Sequence, residues 1–420
     1  MPIDFNPQTM FYYTPNVAQR IVQTQLQMPP QLSQDTFTKS VKVDNKNIDS
    51  NFDGMKITQK SFGTIKKTNQ EAILYTITNK NGASVDLSTF GATITSIKVP
   101  DKDGKIVDVT QGYDNVTPYE ESPVGHAGGT IGPCANKISG GKFTIGENTY
   151  ELEKNKDKGQ THSHGGTQGF DVRNWNATIL KDGIKFTYIK PDMEIGYPGN
   201  VEASVTYKFD NDNQLHIEYS AKSDKDTLIN MTNHTYFNLD GVENTQENSV
   251  YDHIVKLPNS SSITVNNEIA IPTGEIRQVK GTPFDFSEEH RIGDVINSED
   301  DQMKIGSGFD QNYCVDGYDG KKLIEVAEVK SQKTGIELEV YTDLPGFQFY
   351  TANHLGKPTQ PNGKHGSKYE KRSAFCVEPQ FYPNAINTES FKDKGILKAG
   401  EEYNRKIIYK FYINKLSKPE

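Results

Sequence analysis

Four short stretches of this sequence gather side chains able to move protons, each set between apolar runs. Phe375-Cys376-Val377-Glu378-Pro379-Gln380 puts a carboxylate inside an otherwise apolar strand pattern, a costly arrangement unless the group is paired or functional. Burial raises a glutamic acid towards neutrality, which suits a general base. The plainer alternative is an edge-strand glutamate facing water, with Pro379 fitting an edge. Asn230-Met231-Thr232-Asn233-His234-Thr235-Tyr236-Phe237-Asn238-Leu239 surrounds His234 with hydrogen-bonding side chains. A lone strand histidine is more often a satisfied one, and only the polar company brings the functional reading level with it. Thr161-His162-Ser163-His164-Gly165-Gly166 sets two imidazoles at i and i+2, which on a strand point the same way and could hold zinc. No third ligand lies nearby, so no metal is expected. The glycines after His164 allow backbone or ligand to approach closely. Gly281-Thr282-Pro283-Phe284-Asp285-Phe286, read by itself, is a turn with Asp285 as a local backbone acceptor.

Glycine-rich phosphate loops and the Gly-x-Ser-x-Gly elbow are both missing from the sequence. What remains is two or three histidines, one aspartate and one glutamate. Such a set can move protons on a polyhydroxylated substrate without a cofactor.

The elements that must position these groups read as strands. Ala83-Ser84-Val85-Asp86-Leu87 alternates, as does Ala92-Thr93-Ile94-Thr95-Ser96-Ile97-Lys98-Val99. Val205 to Phe209, then Asp210-Asn211-Asp212-Asn213, then Leu215 to Tyr219 reads as strand, turn, strand. Ile336 to Val340 leads through Leu344-Pro345-Gly346 into Phe347-Gln348-Phe349, and Lys406 to Phe411 forms a last strand. Helical periodicity nearly vanishes after residue 60, and no fixed-period repeat appears. The pattern predicts an all-β antiparallel sandwich or barrel, one large domain over residues 56–420. Residues 1–55, rich in Gln, Asn, Thr and Pro, read as an extended or partly disordered extension. The alternative is an arm anchored by Phe11, Tyr12 and Tyr13.

The chain has 420 residues and a net charge of −9, which argues against nucleic acid and anionic membranes as partners. Three widely spaced cysteines, Cys134, Cys314 and Cys376, make neither a disulfide framework nor a zinc ribbon and suit a reducing compartment. Met1-Pro2-Ile3-Asp4-Phe5 has neither the basic nor the apolar region of a secretory signal, and no apolar stretch is long enough to span a bilayer. The expectation is a cytoplasmic protein.

Taken in order, the landmarks resemble the galactose mutarotase (aldose 1-epimerase) family over about residues 56–414. They are Gly91-Ala92-Thr93-Ile94-Thr95-Ser96-Ile97, Gly132 to Ile138, His164-Gly165-Gly166, Gly169-Phe170-Asp171, Gly196-Tyr197-Pro198-Gly199, Thr232 to Leu239, Gly281 to Asp285, Gly308-Phe309-Asp310-Gln311-Asn312 and Glu378-Pro379-Gln380. The resemblance implies a large antiparallel β-sandwich with a sugar cleft across one sheet. It implies no cofactor and no metal, a free monosaccharide such as glucose or galactose as substrate, and a monomer or homodimer. By the same resemblance Glu378 matches the general base for the anomeric hydroxyl, and His234 the general acid for the ring oxygen. The two are expected on opposite sides of the sugar. His164 matches a second histidine near the ring oxygen and Asp285 a carboxylate that grips sugar hydroxyls; Asn136 and Gln380 fall among the substrate-binding groups.

The chain departs from the family at Gly132-Pro133-Cys134-Ala135-Asn136-Lys137-Ile138, where relatives read Gly-Arg-x-Ala-Asn-Arg-Ile. Proline offers no donor, and lysine does not replace a bidentate arginine. Three readings follow: Arg173 or His162 supplies the missing donor, substrate preference is altered, or sugar binding survives with weakened catalysis. Phe381-Tyr382 also departs, standing where many relatives carry His-Phe. The alternatives to a mutarotase are a non-catalytic sugar-binding module on the same fold and a hexose-6-phosphate epimerase; the latter needs a cationic pocket, which the lost arginine disfavours.

Overall fold

Period-two patterning dominates the computed structural model, which describes residues 54–121 and 125–413. The extension expected over residues 1–55, with Phe11, Tyr12 and Tyr13, therefore lies outside the described residues except for its last two positions. Three antiparallel sheets carry the architecture. The first is a meander of Lys56–Ile65, Gln70–Thr78, Ser84–Ser88, Thr93–Pro100 and Ile106–Asp108. The second has nine strands in the order Asn176–Ile179, Ile184–Lys190, Val201–Phe209, Gln214–Ser223, Glu402–Ile413, Ile336–Thr342, Ile324–Lys330, Ile254–Lys256 and His290–Arg291. The third runs Pro272–Gln278, Ser262–Asn266, Asp310–Cys314, Gly346–Tyr350 and Cys376–Gln380. The all-β sandwich read from the sequence is the fold observed.

Alternation sends every second side chain of the central strands into one core. Val201, Ala203, Val205, Tyr207 and Phe209 are buried, while Glu202 faces water. Leu215, Ile217, Tyr219 and Ala221 continue that face on the next strand, and Ile407, Tyr409 and Phe411 on the one beyond. Their cluster takes in residues of all three sheets. Full burial of each large apolar side chain stabilises by about 1.5–3 kcal/mol. The anticipated hairpin forms between Val201–Phe209 and Gln214–Ser223. Asp210 accepts from the backbone of Asp212 and Gln214 at 2.9 Å each, and Asn213 takes φ 57°. Turn chemistry thus fixes the register of this hairpin.

Two connections matter for the site. Ile336–Thr342 belongs to the nine-stranded sheet and Gly346–Tyr350 to the third sheet, so the turn at Leu344-Pro345 carries the chain from one layer to the other. Phe237 and Phe375 exchange backbone hydrogen bonds of 2.7 and 2.9 Å, and their rings pack 5.7 Å apart. That bridge ties the segment after His234 to the start of Cys376–Gln380. Among the described residues no helix is long and apolar enough to cross a membrane.

Candidate active site

The floor of the site is one face of three neighbouring strands. Register sets Asn312, Gln348 and Glu378 in one row, and Asp310, Tyr350 and Cys376 in the next. Gln380 lies beyond Glu378 on the same face, opposite Gly346. The other face holds Phe347, Phe349 and Val377 in the core. All residues of Gly346–Tyr350 and Cys376–Gln380 are buried, so these strands bury a polar face as well as an apolar one. Glycine at 346 is required by the crowding: a Cβ there would meet the Tyr382 ring at 2.9 Å and Asn312 Oδ1 at 3.0 Å.

The amides knit this floor together. Asn136 donates to Gln348 Oε1 at 3.1 Å, Gln380 donates to both Gln348 Oε1 and Asn312 Oδ1 at 3.2 Å, and Gln348 donates to Asp310 at 2.6 Å. Capacity is left over. Glu378 Oε2, Gln380 Oε1 and Asn312 Nδ2 are buried with no partner among the described residues. Buried polar atoms are nearly always bonded, so a mixed set of open donors and acceptors marks a place for a ligand. Hydroxyl groups, which donate and accept alike, match that set.

Three histidines form the opposite wall. His234 follows the two-residue strand Thr232–Asn233, which pairs with Thr130–Ile131. His164 follows Thr161–Ser163, and a left-handed φ of 52° turns it out of the strand. This breaks the i, i+2 arrangement that made zinc conceivable. His162 instead lies fully buried, its Nδ1 2.7 Å from the Glu153 carbonyl and its ring against Tyr197. The glycines after His164 serve the backbone: a Cβ on Gly165 would stand 2.0 Å from the Gly132 carbonyl oxygen. Asn136 and His164 exchange bonds, His164 N–H to the Asn136 carbonyl at 3.1 Å and Asn136 N–H to His164 Nδ1 at 3.3 Å. Accepting at Nδ1 leaves Nε2 as the protonated, donating nitrogen of a neutral ring. Burial and the neighbouring His126 and His234 hold His164 well below the usual imidazole range. His126 is the third member, with ring centroids 4.8 Å from His164 and 6.0 Å from His234.

Glu378 and His234 face each other directly, Oε1 to Nε2, at 3.6 Å. Their exposures are 2% and 5%. Burial, then the charge of Asp310, raises the Glu378 carboxyl well above its ordinary range. Burial, then His126, pushes His234 down to about 3. Burial thus works against charge on both groups. The expectation that the two groups flank the sugar from opposite sides is corrected by this distance. The physical reason lies in the hemiacetal, whose hydroxyl and ring oxygen sit on the same carbon, so acid and base must stand side by side.

Asp285 is also corrected. Its carboxylate accepts from Ser287 Oγ at 2.7 Å, Ser287 N–H at 3.2 Å and Gly281 N–H at 3.3 Å, closing its own turn. Those bonds, the Ser287 hydroxyl foremost, hold its carboxyl below the ordinary range. The carboxylate on the cleft face is Asp310. The motif Gly308-Phe309-Asp310-Gln311-Asn312 supplied the signal for it; Gln348 and His126 carried none, one hidden in a strand of phenylalanines and the other in a glycine-rich loop. The proposed substitutes for the absent arginine are engaged elsewhere: Arg173 pairs with Glu194 at 3.2 Å, and His162 braces Glu153. Lys137 Nζ is held by the Ile269 carbonyl at 2.7 Å and Asp157 at 2.9 Å.

His234, Cys376 and Glu378 offer ligand atoms within 4.8 Å of one another. The Cys376 sulfur lies 3.6 Å from Nδ1, whereas Glu378 approaches Nε2. Contacts to different nitrogens of one ring suit proton movement better than closure on one ion.

With this geometry in hand, comparison with known proteins is specific. The aldose 1-epimerase family model matches residues 74–410. Galactose mutarotase of Bos taurus is 38% identical over 330 residues, 78% of this chain and 91% of that protein. Aldose 1-epimerase of Escherichia coli K12 is 32% identical over 345 residues, 80% of this chain and 94% of that one. Among solved structures, an aldose epimerase homologue from C. elegans aligns with TM-score 0.71 at 28% identity, covering 80% of this chain and 97% of its own. A galactose 1-epimerase from Lactobacillus acidophilus aligns with TM-score 0.71 at 26% identity, covering 86% and 99%.

Proposed function

Since the chain belongs to the aldose 1-epimerase family, we propose that it interconverts the α and β anomers of free hexoses such as glucose and galactose, with Glu378 as base and His234 as acid. One observation carries the reading: a buried carboxyl and a buried imidazole 3.6 Å apart, beside amides with open hydrogen-bonding capacity; which is base and which is acid follows the family resemblance.

The chemistry follows from where the protons are. In the ring-closed complex, the Glu378 carboxylate takes the proton of the anomeric hydroxyl while the His234 imidazolium delivers one to the ring oxygen. The C1–O1 bond becomes a carbonyl as the bond from C1 to the ring oxygen breaks. The pair ends with its single proton on Glu378 and a neutral imidazole. Rotation about the first carbon–carbon bond and closure on the other carbonyl face, with the roles reversed, give the other anomer. His164 supports the ring oxygen as a neutral Nε2–H donor. Asn136, Gln380, Gln348, Asn312 and Asp310 grip hydroxyls; Asp310 takes the role first given to Asp285.

Glu378 takes one proton from the sugar as His234 gives one to it, and closure returns both, so none is consumed. Three buried, unpaired cysteines support a reducing, cytoplasmic setting. Anomer exchange by saturation-transfer NMR over a panel of aldoses tests the activity, and Glu378→Gln tests the roles. A near-normal rate in that variant sinks the assignment of the base.

A further inference from the structure

His126 has no part in the proton transfers just described, yet the fold goes to some length to bring it to the cleft. Its φ is 52°, and its carbonyl accepts from Gly129 N–H at 2.9 Å, closing a tight turn. The turn is pressed against its neighbours: a Cβ on Gly128 would stand 1.9 Å from the Ile94 carbonyl oxygen, and one on Gly129 would stand 2.8 Å from Asp171 Cβ. Only glycine at both positions lets the loop come this close. The same turn is fastened to the His234 backbone in both directions, Gly128 N–H to the His234 carbonyl at 2.9 Å and His234 N–H to the Gly129 carbonyl at 3.1 Å. His126 is thus held in fixed relation to the acid.

Its ring is oriented by a carboxylate. Nδ1 lies 2.6 Å from Asp171 Oδ2 on the short 3-10 turn Phe170–Val172. Asp171 is 7% exposed, and its second oxygen, Oδ1, is buried without a partner. The Nε2 of His126 has no partner among the described residues. Both His126 and Asp171 line a cavity whose wall includes Tyr236, which stacks on His234 at 4.9 Å.

We propose that His126, oriented by Asp171, is a third cleft histidine that hydrogen-bonds a sugar hydroxyl through Nε2. Pro133, on a neighbouring segment, has no side-chain donor of its own. Gly132, the residue before that proline, packs on the Phe170 ring, and Phe170 precedes Asp171, so the two positions flank one turn. A carboxylate accepting at Nδ1 fixes the ring plane, and a hydroxyl can donate to or accept from Nε2 whichever protonation state the ring holds. The inference rests on the proposed reading of the cleft.

The test is His126→Phe, which keeps the ring and removes both nitrogens. Anomer exchange is followed for galactose and its 2-, 3-, 4- and 6-deoxy derivatives. For galactose we expect KM to rise about tenfold with kcat little changed, the effect of one lost hydrogen bond to a bound hydroxyl. Against the deoxy series, the penalty that the wild-type enzyme shows for one missing hydroxyl should vanish in the variant, and only for that one. A purely structural role gives an equal change for all five sugars, and that outcome, like no change at all, overturns the proposal. Asp171→Asn serves as the second variant and should weaken the penalty at the same hydroxyl; weakening elsewhere or nowhere also overturns it. Failure of the cleft reading is separable, because it shows as a normal rate in Glu378→Gln with His126 untouched.

Discussion

In the sheet from Lys56 to Asp108, the polar groups between strands satisfy one another. Thr76 donates to Asp86 at 2.6 Å, and Lys98 reaches the other oxygen of the same carboxylate at 3.2 Å. In the sheet that ends with Cys376–Gln380, polar side chains also share a face, but they are buried more deeply and remain partly unbonded. Both sheets have five strands and obey the same alternation. Patterning therefore does not separate a structural face from a functional one. What separates them is unused hydrogen-bonding capacity gathered on one face, Glu378 Oε2, Gln380 Oε1 and Asn312 Nδ2, where a single ligand can complete it.

Substituting one carboxyl in each sheet should break the symmetry most sharply. Glu378→Gln is expected to lower kcat by about 10³-fold, within the range for a lost general base. Its melting temperature should hardly move, since the amide is a near-isostere and burial already works against the charged carboxylate. Asp86→Asn should leave the rate unchanged and cost under about 1 kcal/mol of stability, the scale of a partly exposed ion pair. Polarimetry and thermal melting on both proteins check the comparison. Comparable rate losses in the two would mean that the buried polar face is not special.

The two aspartates sharpen the same contrast. Asp310→Asn removes a carboxylate bonded to Gln348 on the cleft face and should reduce kcat/KM by about 10- to 100-fold, the loss of one charge-assisted hydrogen bond. Asp285→Asn should leave kinetics intact and cost about 1 kcal/mol, because its bonds all go to its own turn. If instead Asp285→Asn raises KM, the turn lies nearer the sugar than its bonding suggests.

The pH profile follows from the pair's proton count. Turnover needs one proton shared between Glu378 and His234. As pH falls through about 3, His234 gains a second proton while Glu378 stays protonated, and no base remains. As pH rises through the elevated range of Glu378, the pair loses its only proton and no acid remains. The acid limb of kcat/KM should thus lie far below the ordinary histidine value, with the alkaline limb above the ordinary glutamate value. An acid limb near 6.5 would mean that His234 is not held neutral by burial.

What could be read from the sequence divides along the same line. The strands, the Asp210–Asn213 hairpin and the link through Leu344-Pro345-Gly346 were legible because alternation and turn residues are local signals, whereas the change of sheet at that link was not. Glu378 was noticed as a carboxylate in an apolar pattern and His234 by its polar company, but only the family resemblance gave them roles. Asp310 had its motif but no stated role, and Asp285 took its place because a turn aspartate and a cleft aspartate look alike in one dimension. Gln348 and Asn312 join the site only through register with Glu378, information that lies in three strands at once. His126 needed the turn geometry of Gly128 and Gly129, which no spacing rule reveals.

The smallest effect concerns Pro133. The family pattern has an arginine there, and on the proposed reading the floor amides together with the three histidines contact the bound sugar. Pro133→Arg alone should therefore change KM by no more than about twofold, as expected where an added contact finds its partner hydroxyl already bonded. In the His126→Phe background the same substitution has a vacated contact to fill, and KM should fall back part of the way towards wild type. Steady-state kinetics on the four proteins of this cycle give the coupling directly. Strict additivity would show that positions 126 and 133 serve different hydroxyls; a gain confined to the double variant would show that a histidine on one side of the Phe170 turn replaces an arginine on the other.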